Sequence, residues 1–147
     1  ATGGSILGMA GDMFYVTNTT CAITLNYVAL TLANDVLLNV CGNSNARGWG
    51  TAGANGGTCA FTVSGQTMNG NILVDEISSL DFSMLSGSVY TGAINPSGAA
   101  GTVNVTIEDG CQWILTGDCY ITSFTGSVAN IVTNGYDVYV NGVAITG

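Results

Sequence analysis

Paired glycines recur along the second half of the chain at a spacing of 22 to 25 residues. Four segments, 61–74, 82–95, 105–121 and 131–146, each carry three short runs of β-forming residues separated by two glycines. The first glycines are Gly65, Gly87, Gly110 and Gly135, and the second glycines are Gly70, Gly92, Gly117 and Gly142. Self-similarity at such a period indicates a repeat architecture in which each repeat packs only on its neighbours.

Three short strands per repeat predict an all-β fold, a parallel β-helix (β-solenoid). It should have about six turns of 22–25 residues in a single domain over residues 1–147. Glycine at the corners supplies the positive φ that a sharp bend needs. Residues 22–32 fit the same frame with Tyr27 at the first-glycine position, and residues 13–16 fit a further turn. An immunoglobulin-type sandwich would not place paired glycines at a fixed period, and a propeller has longer repeats.

Equivalent residues of a solenoid stack in columns, because strands of neighbouring turns lie about 4.8 Å apart. One column is predicted three residues after the first-glycine position of each turn, and its members should be mostly buried in the core. The members of this column are Leu30, Met68, Tyr90, Trp113 and Val138.

One segment interrupts the repeat. Residues 42–57 contain six glycines, the only basic residue, Arg47, and one of the two tryptophans, Trp49. Cys21 and Cys59 are 38 positions apart, and removing these sixteen residues leaves a period of 22. The segment is therefore predicted to be a Gly-rich inserted loop between two turns. It either packs Trp49 over the solenoid surface or uses Trp49 and Arg47 to contact a ligand, and it lacks the phosphate-binding loop pattern.

The five cysteines are an odd number, so at least one cannot pair within the molecule. Cys21 and Cys59 each lie six residues before the first-glycine position of their turn. Their Cα atoms should then be about 4.8 Å apart, which is within disulfide reach. Cys41 flanks the insertion and is an alternative partner for Cys59. Cys111 and Cys119 are expected to be buried thiols, and the absence of a CxxC motif argues against a zinc site.

Charged residues make up only 7% of the chain, and the net charge is −8. This charge argues against nucleic-acid binding, and the absence of His and Lys excludes imidazole catalysis, His-containing metal sites and Schiff-base chemistry. The acid pairs Asp75–Glu76 and Glu108–Asp109 lie beside predicted corners, where carboxylates commonly solvate turns. No run of 18 apolar residues occurs, so no membrane span is predicted. We expect neither an enzyme nor a bound cofactor.

The runs GDMFYVTNTT, NGGTCAFTVSGQTMNGNILVDEISSLDFSML, WILTGDCYITSF and NGYDVYVNGVAI resemble the C-terminal turns of right-handed parallel β-helix regions in large bacterial proteins. Those proteins are secreted or surface-anchored and are described as adhesin-like or carbohydrate-binding. The resemblance implies a pectate-lyase-like fold without catalytic residues, an extracellular or cell-surface location, and a scaffold or binding role. The five cysteines depart from the resemblance.

The chain contains no helical, charged or proline-rich segment that would cap the ends of such a stack. Its C-terminal segment YVNGVAITG is predicted to run straight off the last turn. We expect the end turns to pair head to tail into an extracellular homo-oligomeric filament, or to extend a longer surface scaffold. The end residues are Phe14, Val16, Val143 and Ile145. The alternative is a carbohydrate-binding or adhesin module whose glycan contacts come from Arg47, Trp49, Tyr120, Tyr136 and Tyr139.

Overall fold

The computed structural model describes residues 1–42 and 50–146. Its first strands are β1 (Ser5–Leu7), β2 (Phe14–Val16), β3 (Thr20–Asn26), β4 (Ala29–Thr31), β5 (Val36–Val40), β6 (Thr58–Ser64), β7 (Thr67–Asn69), β8 (Asn71–Val74) and β9 (Ser79–Leu85). The chain continues through β10 (Val89–Thr91), β11 (Thr102–Ile107), β12 (Gln112–Ile114), β13 (Cys119–Ile121), β14 (Ser123–Thr125), β15 (Ile131–Val132), β16 (Val138–Val140) and β17 (Val143–Ala144). The described residues contain one helical element, the 3₁₀ turn Val128–Asn130, and no helix long and apolar enough to cross a membrane.

The strands wind into a parallel β-solenoid with three faces, which confirms the predicted fold class. Face A is the sheet β3–β6–β9–β11–β14. Face B contains the pair β1–β4 and the sheet β7–β10–β12–β15, and face C contains β2–β5–β8 and β13–β16–β17. Every strand pair is parallel except β16 with β17. Each turn passes through faces B, C and A in that order and lies on the turn before it. In the fourth turn the isolated bridge from Ile94 to Ile72 takes the place of a strand on face C.

The inward-facing side chains of the three faces form one apolar core, as the alternating burial of the strands requires. On face A the rings of Phe61 and Phe82 are stacked with centroids 5.4 Å apart. On face B Met68, Tyr90 and Trp113 lie in register on β7, β10 and β12, and each is at most 4% exposed. This part of the predicted column is confirmed.

Val138 is buried as predicted, but its predicted place in this column is wrong. The residue stacked on Trp113 is Ile131 of β15, whereas Val138 lies on face C opposite Cys119. The last repeat is out of phase because its glycine, Gly135, is between β15 and β16 and so occupies a corner between faces B and C. Gly65, Gly87 and Gly110 lie at corners between faces A and B. Glycine marks a bend, but it does not specify which bend of the turn it serves.

Two features of the early turns agree with the repeat predicted from the sequence: the corner at Tyr27 and the register across the insertion. Tyr27 occupies the corner between β3 and β4 with a φ of 54°, in the left-handed region, and its ring covers Gly65 of the next turn, where a Cβ would collide with it. The insertion lies between β5 and β6, and the register pairs Cys21 with Cys59 as the period of 22 predicts. Arg47 and Trp49, the ligand-contact candidates of this loop, lie outside the described residues.

Candidate functional site

The N-terminal end of the stack is an apolar layer. Phe14 of β2 is half-buried, and its ring centroid is 6.1 Å from that of Phe61 in the layer above. Val16 is 5% exposed and belongs to the core. Ile6 and Ile23 complete the layer from faces B and A, and both are only partly covered. The predicted end residues Phe14 and Val16 are thus at this end, with Phe14 in its outermost layer.

Strand β3 presents an edge at this end. Residues 1–3 cover only its last part, since the Ala1 amino group donates to the Thr24 carbonyl and the Asn26 N–H donates to the Ala1 carbonyl. Below Thr20–Ile23 the described part of the chain supplies no strand. Alternate residues of a strand share an orientation, so the peptide groups of Thr20 and Ala22 point to this edge, as those of Thr24 and Asn26 do.

The C-terminal end differs from the prediction, because the chain does not run straight off the last turn. It reverses after β16, and β17 pairs antiparallel with β16, with Val143 opposite Val140. Ile145 is half-buried against the core and its N–H donates to the Val138 carbonyl, while Val143 is 67% exposed. Strands β14 and β15 have a partner on one side only among the described residues. Faces A and B therefore end in open edges, and face C ends in a hairpin.

The sequence contains a local signal for this hairpin, the dipeptide Asn141–Gly142. Asn141 and Gly142 separate β16 from β17, with φ values of 48° and 81°. Positive φ at both central residues defines the two-residue turn that Asn-Gly favours between antiparallel strands. The glycine period assigned Gly142 to a solenoid corner and so concealed the turn.

The aromatic candidates on face C form a stacked pair. The rings of Tyr120 and Tyr139 are parallel within 11°, with centroids 5.1 Å apart. They line an open groove of about 260 Å³ together with Thr122 and Asn141. Desolvation and then the carboxylates of Asp137 and Asp118 raise the pKa of the Tyr139 phenol. Tyr136 is 41% exposed in the loop before β16 and is not part of the stacked pair.

The carboxylates of the chain are used at corners and between turns. Asp75 accepts from the Gly42 N–H at 2.8 Å, and Glu108 accepts from the Ser86 N–H at 2.7 Å. Asp118 accepts from the Asp137 N–H at 3.0 Å. Within residues 1–42 and 50–146 no three His, Cys, Asp or Glu side chains lie close enough together to hold a metal ion. These contacts give the acids a role in fixing the corners.

Two buried amides, those of Gln66 and Asn95, also fix corners, and the repeat pattern did not predict either role. The Gln66 side chain is fully buried, and it both accepts from the Val28 N–H and donates to the Val28 carbonyl. These bonds link neighbouring turns of face B where β4 and β7 do not pair as strands. Asn95 is 1% exposed and accepts from the Val74 N–H at 2.7 Å. A glutamine directly after a corner glycine is the only signal that marked Gln66.

Two of the cysteines, Cys21 and Cys59, form a facing pair, and the other three are buried elsewhere. Cys21 and Cys59 face each other on β3 and β6, and burial, followed by the neighbouring Cys21 thiol, raises the pKa of Cys59 to about 12. Burial likewise raises the pKa of Cys119 to about 12, although the Ile94 N–H donates to its sulfur at 3.3 Å. Cys41 and Cys111 are buried.

These thiols should make the fold sensitive to alkali. In the folded chain Cys59 and Cys119 keep their protons up to about pH 12, whereas in the unfolded chain they lose them near the ordinary pKa of 9.0. Stability should therefore be fully present below about pH 9 and decrease as the pH rises towards 12. Melting temperatures from about pH 8 to 11 would show this, and Cys119→Ser should reduce the slope. A melting temperature independent of pH in this range would contradict it.

Comparisons with known proteins found no matching family model, no matching curated protein and no matching solved structure. The fold agrees with the parallel β-helix part of the resemblance drawn from the sequence.

Proposed function

We propose that this chain is an extracellular structural β-solenoid whose end turns stack on one another, copy to copy, into a filament or scaffold. The observation that carries the proposal is the pair of open edges on face A. Strand β3 at one end and β14 at the other each have one strand partner among the described residues, over an apolar core. An edge strand with unpaired N–H and C=O groups is a template for another chain.

The two ends are complementary column by column. On face A, Ile23 is the first member and Phe124 the last member of one inward-facing column. On face B, Ile6 begins the stack and Ile131 ends it. In the described part of the chain face A has five strands and face B has six, so a rigid copy cannot pair β3 with β14 and β1 with β15 at once. The proposed junction is the pairing of β3 of one copy with β14 of the next, which continues the face A column with apolar side chains. The contact is heterologous, so it propagates along the axis.

The last partial turn restricts this junction. Strands β15 and β16 lie one turn beyond β14, at the positions that β1 and β2 of the next copy take when β3 pairs with β14. The junction therefore requires residues 131–146, with the β16–β17 hairpin, to move aside, and face A alone carries the parallel pairing.

Edge-blocking prolines test the proposal without disturbing pairing within a copy. Ala22→Pro removes an N–H that points to the open edge of β3, and Thr125→Pro does the same for β14. Ala22→Ser and Thr125→Ser are the matched controls. Each protein is measured by analytical ultracentrifugation and electron microscopy at moderate salt, which screens the net charge of −8.

We expect wild type and both serine variants to form long linear assemblies, and each proline variant alone to be monomeric. A mixture of the two proline variants should stop at a dimer, because only one competent pair of edges remains. Circular dichroism checks that each proline variant is folded. Wild type that stays monomeric at high concentration, or proline variants that assemble like wild type, would refute head-to-tail stacking.

A second candidate function is glycan binding, favoured by the stacked Tyr120–Tyr139 pair and its groove. Aromatic rings bury the apolar faces of sugar rings, and the Asn141 and Thr122 side chains next to them can hydrogen-bond hydroxyls. If this surface binds glycans, Tyr139→Ala should reduce binding to a panel of insoluble polysaccharides at least about tenfold. Tyr136→Ala, outside the pair, is the matched control. Equal binding by wild type and Tyr139→Ala would remove this candidate.

A further inference from the structure

The first two turns of face A bring two thiols together. Cys21 and Cys59 are in-register partners on the parallel strands β3 and β6. Parallel neighbours are about 4.8 Å apart, which falls in the range of Cα separations found for disulfides. Both side chains point inward, and the neighbouring Cys21 thiol adds to burial in raising the pKa of Cys59. The register and the strand spacing therefore place the two Cα atoms at a separation that a disulfide can bridge.

The structure assigns Cys21 and Cys59 as an oxidation site, and we propose that a thiol–disulfide oxidant such as oxidised glutathione converts them to a disulfide joining the first two turns. The Cys21 thiolate attacks one glutathione sulfur, which forms a mixed disulfide and releases a glutathione thiolate. Cys59 then loses its proton and attacks the Cys21 sulfur, which releases the second glutathione thiolate. Two thiols and one oxidised glutathione thus give one disulfide and two reduced glutathiones.

The burial of the two residues sets this order of events. Cys21 is half-buried on the terminal strand of face A, so it is the thiol that a small disulfide reaches first. Cys59 is 2% exposed and holds its proton tightly, so it acts as the resolving thiol from inside the core. The second step should therefore be the slower one, and it should accelerate as the pH is raised.

The other cysteines are placed less well for this pairing. Cys41 follows β5 on face C and its N–H donates to the Val16 carbonyl, so no strand register sets it opposite Cys59. Cys111 precedes β12 on face B and Cys119 begins β13 on face C, and both lie more than three turns away from Cys21. The proposal concerns the covalent state of the first turns and does not depend on stacking between copies.

The sequence offers a direct assay. Arg47 is the only Lys or Arg in the chain, so trypsin cleaves at one position and separates residues 1–47, with Cys21, from residues 48–147, with Cys59. The full chain is incubated with oxidised glutathione, remaining thiols are blocked with N-ethylmaleimide, and the protein is unfolded and digested. Non-reducing electrophoresis and mass spectrometry then report whether the two fragments stay linked. The melting temperature is measured before digestion.

We expect linked fragments in wild type and in Cys41→Ser, and separated fragments in Cys21→Ser and in Cys59→Ser. Oxidation should raise the melting temperature of wild type by about 5–15 °C, because the disulfide restrains a long loop of the unfolded chain. It should not change that of Cys21→Ser. Wild-type fragments that separate, or a link that survives Cys21→Ser but is lost in Cys41→Ser, would overturn the assignment.

Discussion

Replacing Trp113 with alanine should lower the free energy of unfolding by about 3–5 kcal/mol. The Trp113 ring is fully buried in the middle of face B, 6.2 Å from the Tyr90 ring, and its indole N–H donates to the Gly92 carbonyl at 3.1 Å. The substitution opens a cavity and leaves that carbonyl without its donor. For a chain of this length the melting temperature should decrease by about 10–15 °C in thermal unfolding followed by circular dichroism.

Gln112→Ala is the matched control, since Gln112 is the neighbouring residue of β12 and points to solvent. Its effect should be within about 0.5 kcal/mol of wild type. A shift of only one or two degrees for Trp113→Ala would show that this column is not the centre of the core. It would also place the Trp113 ring at a surface, where a role in ligand contact would have to be considered.

Gly92→Ala should be nearly as harmful, by at least about 3 kcal/mol. Gly92 lies at the corner after β10, where an added Cβ would collide with the Gly70 carbonyl oxygen and lie 2.6 Å from the Tyr90 phenol oxygen. That phenol donates to the same carbonyl at 2.8 Å, so the extra methyl group disrupts a buried hydrogen bond as well as the spacing of two turns. Neither Gly70 nor Tyr90 can move away, because backbone and core hold them.

Gly117→Ala, one turn further along, tests whether steric contact of the added Cβ causes the loss of stability. Gly117 is at the equivalent corner after β12, but an added Cβ there makes only ordinary contacts, with the Ala93 Cβ at 3.5 Å and the Pro96 Cβ at 3.9 Å. Neither Gly92 nor Gly117 has a positive φ, so backbone strain does not distinguish them. Chemical denaturation should show Gly117→Ala close to wild type and Gly92→Ala strongly destabilised. Similar values for the two variants would mean that steric contact at this corner does not control stability.

The proposed stacking depends on the edges of β3 and β14, the terminal strands of face A. An isolated solenoid must satisfy or solvate the backbone of its terminal strands. At the C-terminal end, face C does so by folding β17 back on β16, and faces A and B leave β14 and β15 exposed. The mixed-proline experiment is informative because it separates ordered stacking at these edges from non-specific association of apolar surface.

The sequence was sufficient for the features that depend on neighbouring turns. The period of the paired glycines, the frame that places Tyr27 at a corner, and the register of Cys21 with Cys59 across a sixteen-residue insertion are all present in the structure. They could be predicted because a solenoid repeats one local arrangement, so equal spacing along the chain becomes stacking in space. The alternation of inward and outward residues then selects the core.

Only the tertiary structure decided how the last turn ends. Gly135 and Gly142 fit the period but serve a different corner and a hairpin, since a glycine requires only a bend and the strand partners determine its place. Strand β17 had two possible partners, the strand of its own copy before it or an edge beyond it, and periodicity does not rank them. The role of Gln66 was likewise hidden in the sequence, because its amide is needed only once the fold places β4 beside β7 without pairing them.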